Sequence, residues 1–358
     1  MWQYVNLCLV AFAVTFFLIP AIKPIACFVG LVDKPGGRKK HEGMVPLTGG
    51  ISIFAGMLAS VLFSVEQTEF VRVLVVGGAM MVAVGAFDDR YDISARFRLV
   101  AQLLIAILFT YGLGVKVSNV GDLFGIGVVE LGYFGSVFTV VCIVALINAL
   151  NMLDGIDGLV GTLSGISFLG LAMLLNRIGD FELAAACLCL CFGIFAFLIY
   201  NLFGSPERRG FGKVFMGDAG SMFLGLMLAV LLVRSSQSRQ GFDIAISPIG
   251  VLWFVLLPIT DMATTIGRRL RRGRSPLAPD RTHIHHIIMR AGLTKYQALI
   301  LLSGLQLVLV SIGMMITLSK GMDLVGFLLA IFLVICYQLI IGRSWRIVRW
   351  SRRRFGLS

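Results

Sequence analysis

Long apolar runs recur along the whole 358-residue chain, separated by short polar segments, and this rhythm constrains the fold more than any other feature. About 20 apolar residues in a helix are needed to cross a hydrocarbon core about 30 Å thick. Lipid offers no partner for backbone N–H and C=O groups, so each such run must satisfy its own as a helix. Composition agrees: 58% of residues are hydrophobic and 14% charged, against roughly 25% charged in soluble domains, and mean hydropathy is +0.92. The expected fold is an all-α polytopic membrane bundle. Eleven spans are read near 3–22, 46–65, 70–87, 98–115, 133–151, 158–176, 182–203, 218–233, 246–263, 297–318 and 323–342. With no internal repeat or low-complexity linker, residues 1–358 read as one domain. Its site loops lie at about 23–45, 88–98, 152–158, 204–218 and 264–296.

An odd number of spans puts the two termini on opposite sides. Of the 31 Lys and Arg residues, 25 fall in the loops of one side and in the tail from Arg343 on. Cytoplasmic loops carry the excess of Lys and Arg, so that side is expected to be cytoplasmic, with the N-terminus outside and the C-terminus inside. The formal net charge of +12 is thus a topology signal, and nucleic-acid binding is not expected. Met1–Tyr4 lacks the positive start of a cleavable secretory signal. The tail Arg343–Arg354, with Trp345 and Trp350 interleaved, suits an anionic leaflet surface. The seven cysteines show no CxxC pair and sit mostly inside apolar runs, where free Cys behaves as a small hydrophobe.

Acids near a bilayer are costly and are usually paired or functional. Here they gather on the basic side: Asp88 and Asp89 end the third span, Asp154 and Asp157 follow the fifth, and Asp218 opens the eighth. Taken singly, each is a helix cap or an arginine partner. Together, on one face, they suggest an oxygen-ligand cation site. In Asp88-Asp89-Arg90-Tyr91-Asp92, positions i and i+4 share a helix face, so Asp88 is expected to face with Asp92 while Asp89 turns aside. Asn148, Asn151, Asp154 and Asp157 recur at every third position and line one side of a helix end; the alternative is a polar seam between helices.

Three of the four histidines, His283, His285 and His286, lie in the longest loop, behind the run Arg268–Arg274 and Arg281. A zinc site wants four N or S ligands and no nearby Cys completes one, so anion binding is the better reading. Lys34–His41 forms a second basic loop that could hold a nucleotide phosphate.

Five motifs occur in order: LVDKPGGRKKHEGMVPLTGGI, GAFDDRYDIS, NALNMLDGIDGL, VFMGDAGS and SPLAPDRTHIHH. Together they resemble the polyprenyl-phosphate N-acetylhexosamine-1-phosphate transferases over nearly the whole chain, and most of all the bacterial WecA-type branch. The resemblance implies a multi-pass protein of the bacterial inner membrane with its site on the cytoplasmic face. The implied reaction transfers GlcNAc-1-phosphate from UDP-GlcNAc to undecaprenyl phosphate and releases UMP, beginning O-antigen and related envelope polysaccharides. It implies Mg²⁺, with Mn²⁺ as the alternative ion, held by Asp218 and Asn151. Asp88 and Asp89 would serve at the catalytic centre, and Arg98 would meet the lipid phosphate. Asp154, Asp157, Arg281, His283, His285 and His286 would serve the nucleotide sugar. Membrane lipids are implied partners, and a homodimer is left open.

The lipid phosphate is already an anionic nucleophile, so direct attack on the UDP-sugar needs mainly charge neutralisation. A covalent route needs an aspartate nucleophile, which Asp88 or Asp89 supplies in principle. Two other classes compete. An ion-coupled transporter would place its acids near the bilayer midplane between repeated halves; Asp261, after Pro258, is the one residue of that kind. An aspartate-rich prenyltransferase would need a second DxxxD motif, and Asp154 and Asp157 have the wrong spacing.

Overall fold

The computed structural model describes residues 2–33, 44–64, 68–205, 211–237, 246–277, 282–319 and 321–343. Within them the chain is built from α-helices, with one two-residue antiparallel pair, β1 (Val32–Asp33) against β2 (Val45–Pro46). The helices are α1 (Trp2–Val29), α2 (Gly49–Leu62), α3 (Glu69–Tyr91), α4 (Ala95–Ile107), α5 (Phe134–Leu153), α6 (Leu159–Arg177), α7 (Phe181–Phe203), α8 (Gly217–Ser236), α9 (Pro248–Leu252), α10 (Leu256–Arg271), α11 (Ile284–Arg290), α12 (Lys295–Leu318) and α13 (Asp323–Gly342). Ten segments among the described residues are long and apolar enough to cross a membrane, and α2 is a shorter apolar helix. All eleven expected spans therefore correspond to helices, and the chain is a multi-pass helical membrane protein.

Local chemistry sets the breaks. Thr68 accepts from the Val71 amide to start α3, and Ser94 accepts from the Phe97 amide to start α4. Asp180 caps α7 by accepting from the Leu183 amide and so divides it from α6. Each cap satisfies one of the amides that a helix start leaves without a partner.

Two expected boundaries are corrected. The ninth span does not end near 263. A 3₁₀ turn at Trp253–Val255 joins α9 to α10, and α10 carries the helix on to Arg271. Most of the basic run therefore sits on a helix end rather than in a free loop, and α11 takes up part of the remainder. The fourth span begins at Ala95 and widens into a π-helical turn at Leu108–Gly112.

The core lies around α8. This helix is apolar on every side and buried along nearly its whole length, as expected of a helix enclosed by others. At the other extreme, α13 buries only Gly326, Ala330 and Ile341, and its other side chains are half-buried or exposed. Helix α3 crosses α8 closely because Gly85 lacks a side chain: a Cβ there would run into the backbone of Asp218 and Ala219. That contact sets the acidic end of α3 against the start of α8. The start of α8 is fixed a second time by extended backbone. The Phe215 amide donates to Pro46 O (2.9 Å), and the Gly49 and Gly50 amides donate to Phe215 O and Met216 O (3.0 Å each).

Candidate active site

The site lies where α3 and α5 end and α8 begins. Asp88 is buried, at 4% exposure, although it stands at the end of a span. Its Oδ2 forms an ion pair with Arg98, one turn into α4. The same guanidinium nitrogen reaches Asp218 Oδ2 at 3.3 Å. Asp218 Oδ1 accepts from Asn151 Nδ2 at 2.8 Å, and that amide also donates to Ser221 Oγ at 3.1 Å. Asp88, Arg98, Asn151 and Asp218 come from four helices and form one continuous cluster. The separate helix ends that the sequence suggested do meet.

Asp89 turns aside, as its position after Asp88 suggests. Its two carboxylate oxygens accept from the amides of Asp218 (2.8 Å) and Ala219 (3.1 Å). It therefore meets the first turn of α8, where a carboxylate satisfies unpartnered amides and the positive end of the helix dipole. Asp92 does not share a face with Asp88. Helix α3 stops at Tyr91, and Asp92 caps it in the left-handed conformation (φ 50°, ψ 58°), exposed to solvent. The left-handed cap turns the chain before an i, i+4 pair can form.

The every-third-position strip divides in two. Asn148 donates to Gln102 Oε1 at 2.6 Å, and Gln102 is buried, so Asn148 belongs to a polar seam between α4 and α5. Asn151 joins the acid cluster. Beyond α5, Asp157 accepts from Lys213 Nζ at 2.7 Å. Asp154 lies between them in sequence, in the loop that follows α5. Loss of hydration among the packed loops, then the charges of Asp218, Asp89 and Asp157, push its carboxyl up to about 8. The like charges are the part that a bound cation would reverse.

The histidines form the opposite wall. His285 is buried and sits on Gly155, where any side chain would collide with the His285 ring. Neither of its ring nitrogens has a hydrogen-bond partner among the described residues. Burial, then the neighbouring His286 and His283 rings, holds its pKa down to about 3, with Asp261 opposing. His285 is therefore neutral at physiological pH and offers one N–H rather than a positive charge. His286 packs on His285 with ring centroids 4.2 Å apart. His283 Nδ1 lies 2.7 Å from Asp261 Oδ2. Arg281 and the basic segment Lys34–His41 lie outside the described residues, as does the tail beyond Arg343. In the Arg268–Arg274 run, Arg268 donates to Thr282 O (2.6 Å) and Arg269 to Pro276 O (2.5 Å). These two arginines tie down the loop that leads to the histidines.

Three contributors are not evident from sequence motifs. Lys213 neutralises Asp157. Asn201, buried near the end of α7, accepts from the Gly158 amide (2.6 Å) and donates to Val214 O (2.8 Å), joining the Asp154–Gly158 loop to the segment before α8. Tyr337 donates to Asp261 Oδ1 at 2.6 Å. A polar residue within the apolar run of α7 was the available signal for Asn201; Lys213 and Tyr337 carry no local pattern.

The donor set suits a hard divalent ion. Asp218, Asp88 and the Asn151 amide offer only oxygens for this purpose, and Asp88 Oδ1 is buried without a hydrogen-bond partner among the described residues. Among the described residues no group of three or more His, Cys, Asp or Glu forms a complete cage. Mg²⁺ is commonly held by one or two carboxylates, with water and substrate phosphates completing its shell.

The fold and this cluster define a class: a polytopic helical membrane protein with a cluster of acidic, amide and basic side chains at one end of its bundle. Comparison with known proteins narrows it. The model of the family described as glycosyl transferase family 4 matches residues 71–236. The undecaprenyl-phosphate alpha-N-acetylglucosaminyl 1-phosphate transferase of Yersinia pestis is 40% identical over 94% of this chain and 91% of its own length. Its counterpart from Salmonella typhi is 39% identical over 95% and 91%, and that from Haemophilus influenzae 38% over 96% of both. The chain belongs to this family of undecaprenyl-phosphate N-acetylglucosaminyl 1-phosphate transferases.

Proposed function

We propose that the chain transfers GlcNAc-1-phosphate from UDP-GlcNAc to undecaprenyl phosphate, giving GlcNAc-diphospho-undecaprenol and UMP. The observation that carries this reading is the meeting of Asp88, Arg98, Asn151 and Asp218 from four helices. An oxygen of the lipid phosphate attacks the β-phosphorus of UDP-GlcNAc. The bond from that phosphorus to the bridging oxygen breaks, and UMP leaves. Mg²⁺, or Mn²⁺, held by Asp218 and Asn151, would neutralise pyrophosphate charge.

Arg98 holds the lipid phosphate beside Asp88, and Asp88 orients it or takes its proton. Asp89 acts as a positioning residue, since it fixes the first turn of α8 and with it Asp218. The Asp154–Asp157 loop and the histidine wall receive the sugar nucleotide, with Lys213 adjusting Asp157. Direct attack suits this arrangement, because Asp88 already faces the Arg98 cation and positioning with charge neutralisation is what phosphoryl transfer mainly needs.

The site is assigned to the cytoplasmic face of the bacterial inner membrane, because the Lys-rich and Arg-rich loops flank it. The same loop charges favour an N-terminus outside and a C-terminus inside, and with no internal repeat or low-complexity linker 1–358 is read as one domain. The product would feed O-antigen and related envelope polysaccharides.

The test is purified protein with undecaprenyl phosphate, Mg²⁺ and a panel of UDP-sugars, with the lipid product read by mass spectrometry. UMP release with a GlcNAc-diphospho-lipid is expected. Folded protein that makes no such lipid would overturn the proposal.

A further inference from the structure

Asp261 is a buried acid that the reaction above leaves without a role. It lies on α10, 2% exposed, one turn into the helix and beneath the histidine wall. Three donors converge on its two oxygens. His283 Nδ1 is 2.7 Å from Oδ2, while the Ile284 amide (2.9 Å) and Tyr337 Oη (2.6 Å) both donate to Oδ1. This is the pattern of an ionised carboxylate, which can only accept. The His283 ring must therefore turn a protonated Nδ1 towards Asp261, which leaves Nε2 on its far edge.

The arrangement continues outward from there. The His285 ring lies parallel to that of His283, with centroids 5.9 Å apart and planes 3° apart. His285 in turn rests on Gly155, between Asp154 and Asp157. Both nitrogens of this buried ring lack a hydrogen-bond partner among the described residues. A buried imidazole left so is a group kept for a ligand, since an unmet buried donor is costly.

We infer that Asp261 is a positioning residue for sugar-nucleotide recognition: Tyr337 and the core hold it, and it fixes the orientation of His283 and, through it, the placement of His285 against the Asp154–Asp157 loop. The inference rests on the transferase reading for the identity of the ligand. The role resembles that of carboxylates that set the tautomer and angle of a functional imidazole from behind. Tyr337, from α13, makes the outermost helix part of the same arrangement.

Asp261→Asn separates this role from plain packing. The Ile284 amide and Tyr337 keep the amide oxygen on their side, so the NH₂ faces His283 and demands a lone pair at Nδ1. Protein labelled with ¹⁵N-histidine has only four histidines to assign. His283 is expected to show a protonated Nδ1 in the unaltered protein and an unprotonated one in Asp261→Asn. The KM for UDP-GlcNAc should rise about tenfold, while the KM for undecaprenyl phosphate changes less than twofold. Tyr337→Phe, which keeps the carboxylate and its hold on His283, should raise the same KM about threefold and leave the Nδ1 signal protonated. A His283 signal unchanged in Asp261→Asn would overturn the inference. So would equal rises in both KM values that track lost thermal stability. The spectra need no substrate, so they judge Asp261 even if the unaltered protein makes no lipid product and the transferase reading itself fails.

Discussion

The two walls of the site are built by different means. The acidic wall is made of helix ends pressed together: α3 meets α8 at Gly85, Asp89 seats the first turn of α8, and Asp88, Arg98, Asn151 and Asp218 close on one another. The histidine wall is a short helix after a loop, held from below by one carboxylate and from the side by Arg268 and Arg269. The first gains its precision from backbone packing that cannot shift without moving whole helices. The second gains it from a few polar contacts whose partners are far apart in sequence. In the proposed reaction, charge handling falls to the first wall and ligand recognition to the second.

Substitutions can break or sharpen this contrast, taken from the largest expected effect to the smallest. Asp218→Asn keeps the shape of the acidic wall and removes its charge. Turnover should fall by at least about 10²-fold with little change in melting temperature; near-normal turnover would detach the acidic wall from the chemistry.

Gly85→Val should act through packing, costing about 1–3 kcal/mol and lowering activity with both substrates. Gly155→Ala makes the matching insult on the other wall. There the neighbour is a side chain, so stability should fall less and the KM for UDP-GlcNAc should rise. Equal stability losses in the two variants, measured by thermal unfolding in detergent, would erase the difference between the walls.

Asp89→Ala should cost about 1 kcal/mol, as for a lost helix cap, and lower turnover by displacing Asp218. Lys213→Met should raise the KM for UDP-GlcNAc several-fold, through loss of its half-buried ion pair with Asp157, and leave that for the lipid unchanged.

The smallest effect concerns pH. The Asp154 carboxyl is raised from 3.8 to about 8 in the folded protein. An acid whose folded value lies above its unfolded value favours folding most below the unfolded value, and that contribution is lost as pH rises between the two. In chelator-treated protein the melting temperature of Asp154→Asn, relative to the unaltered chain, should therefore improve from pH 5 to pH 8. A flat difference would show that the crowded acids do not act on Asp154.

Much of this was legible in the sequence, and the reasons are physical. Apolar runs must become helices in lipid, so all eleven expected spans correspond to observed helices. Acids are rare and costly at a membrane, so Asp88, Asn151 and Asp218 could be expected to converge. Detail failed where tertiary contacts decide. A DDxxD pattern does not reveal that Asp92 leaves the helix through a left-handed cap, nor that Asp89 faces the α8 amides. The continuation of α10 to Arg271 was hidden because basic residues look like loop in a lipid-based reading. Asp261 was noticed only as an acid inside a span; its pairing with His283 and Tyr337 depends on contacts between distant helices that no local pattern records.

The most direct test of the central claim, that separate helix ends build one divalent-ion site, is electron paramagnetic resonance of Mn²⁺ titrated into the purified protein. One bound ion per chain is expected in the unaltered protein, lost in Asp218→Asn, weakened in Asn151→Ala and retained in Asp261→Asn. Unchanged binding in both Asp218→Asn and Asn151→Ala would contradict the account.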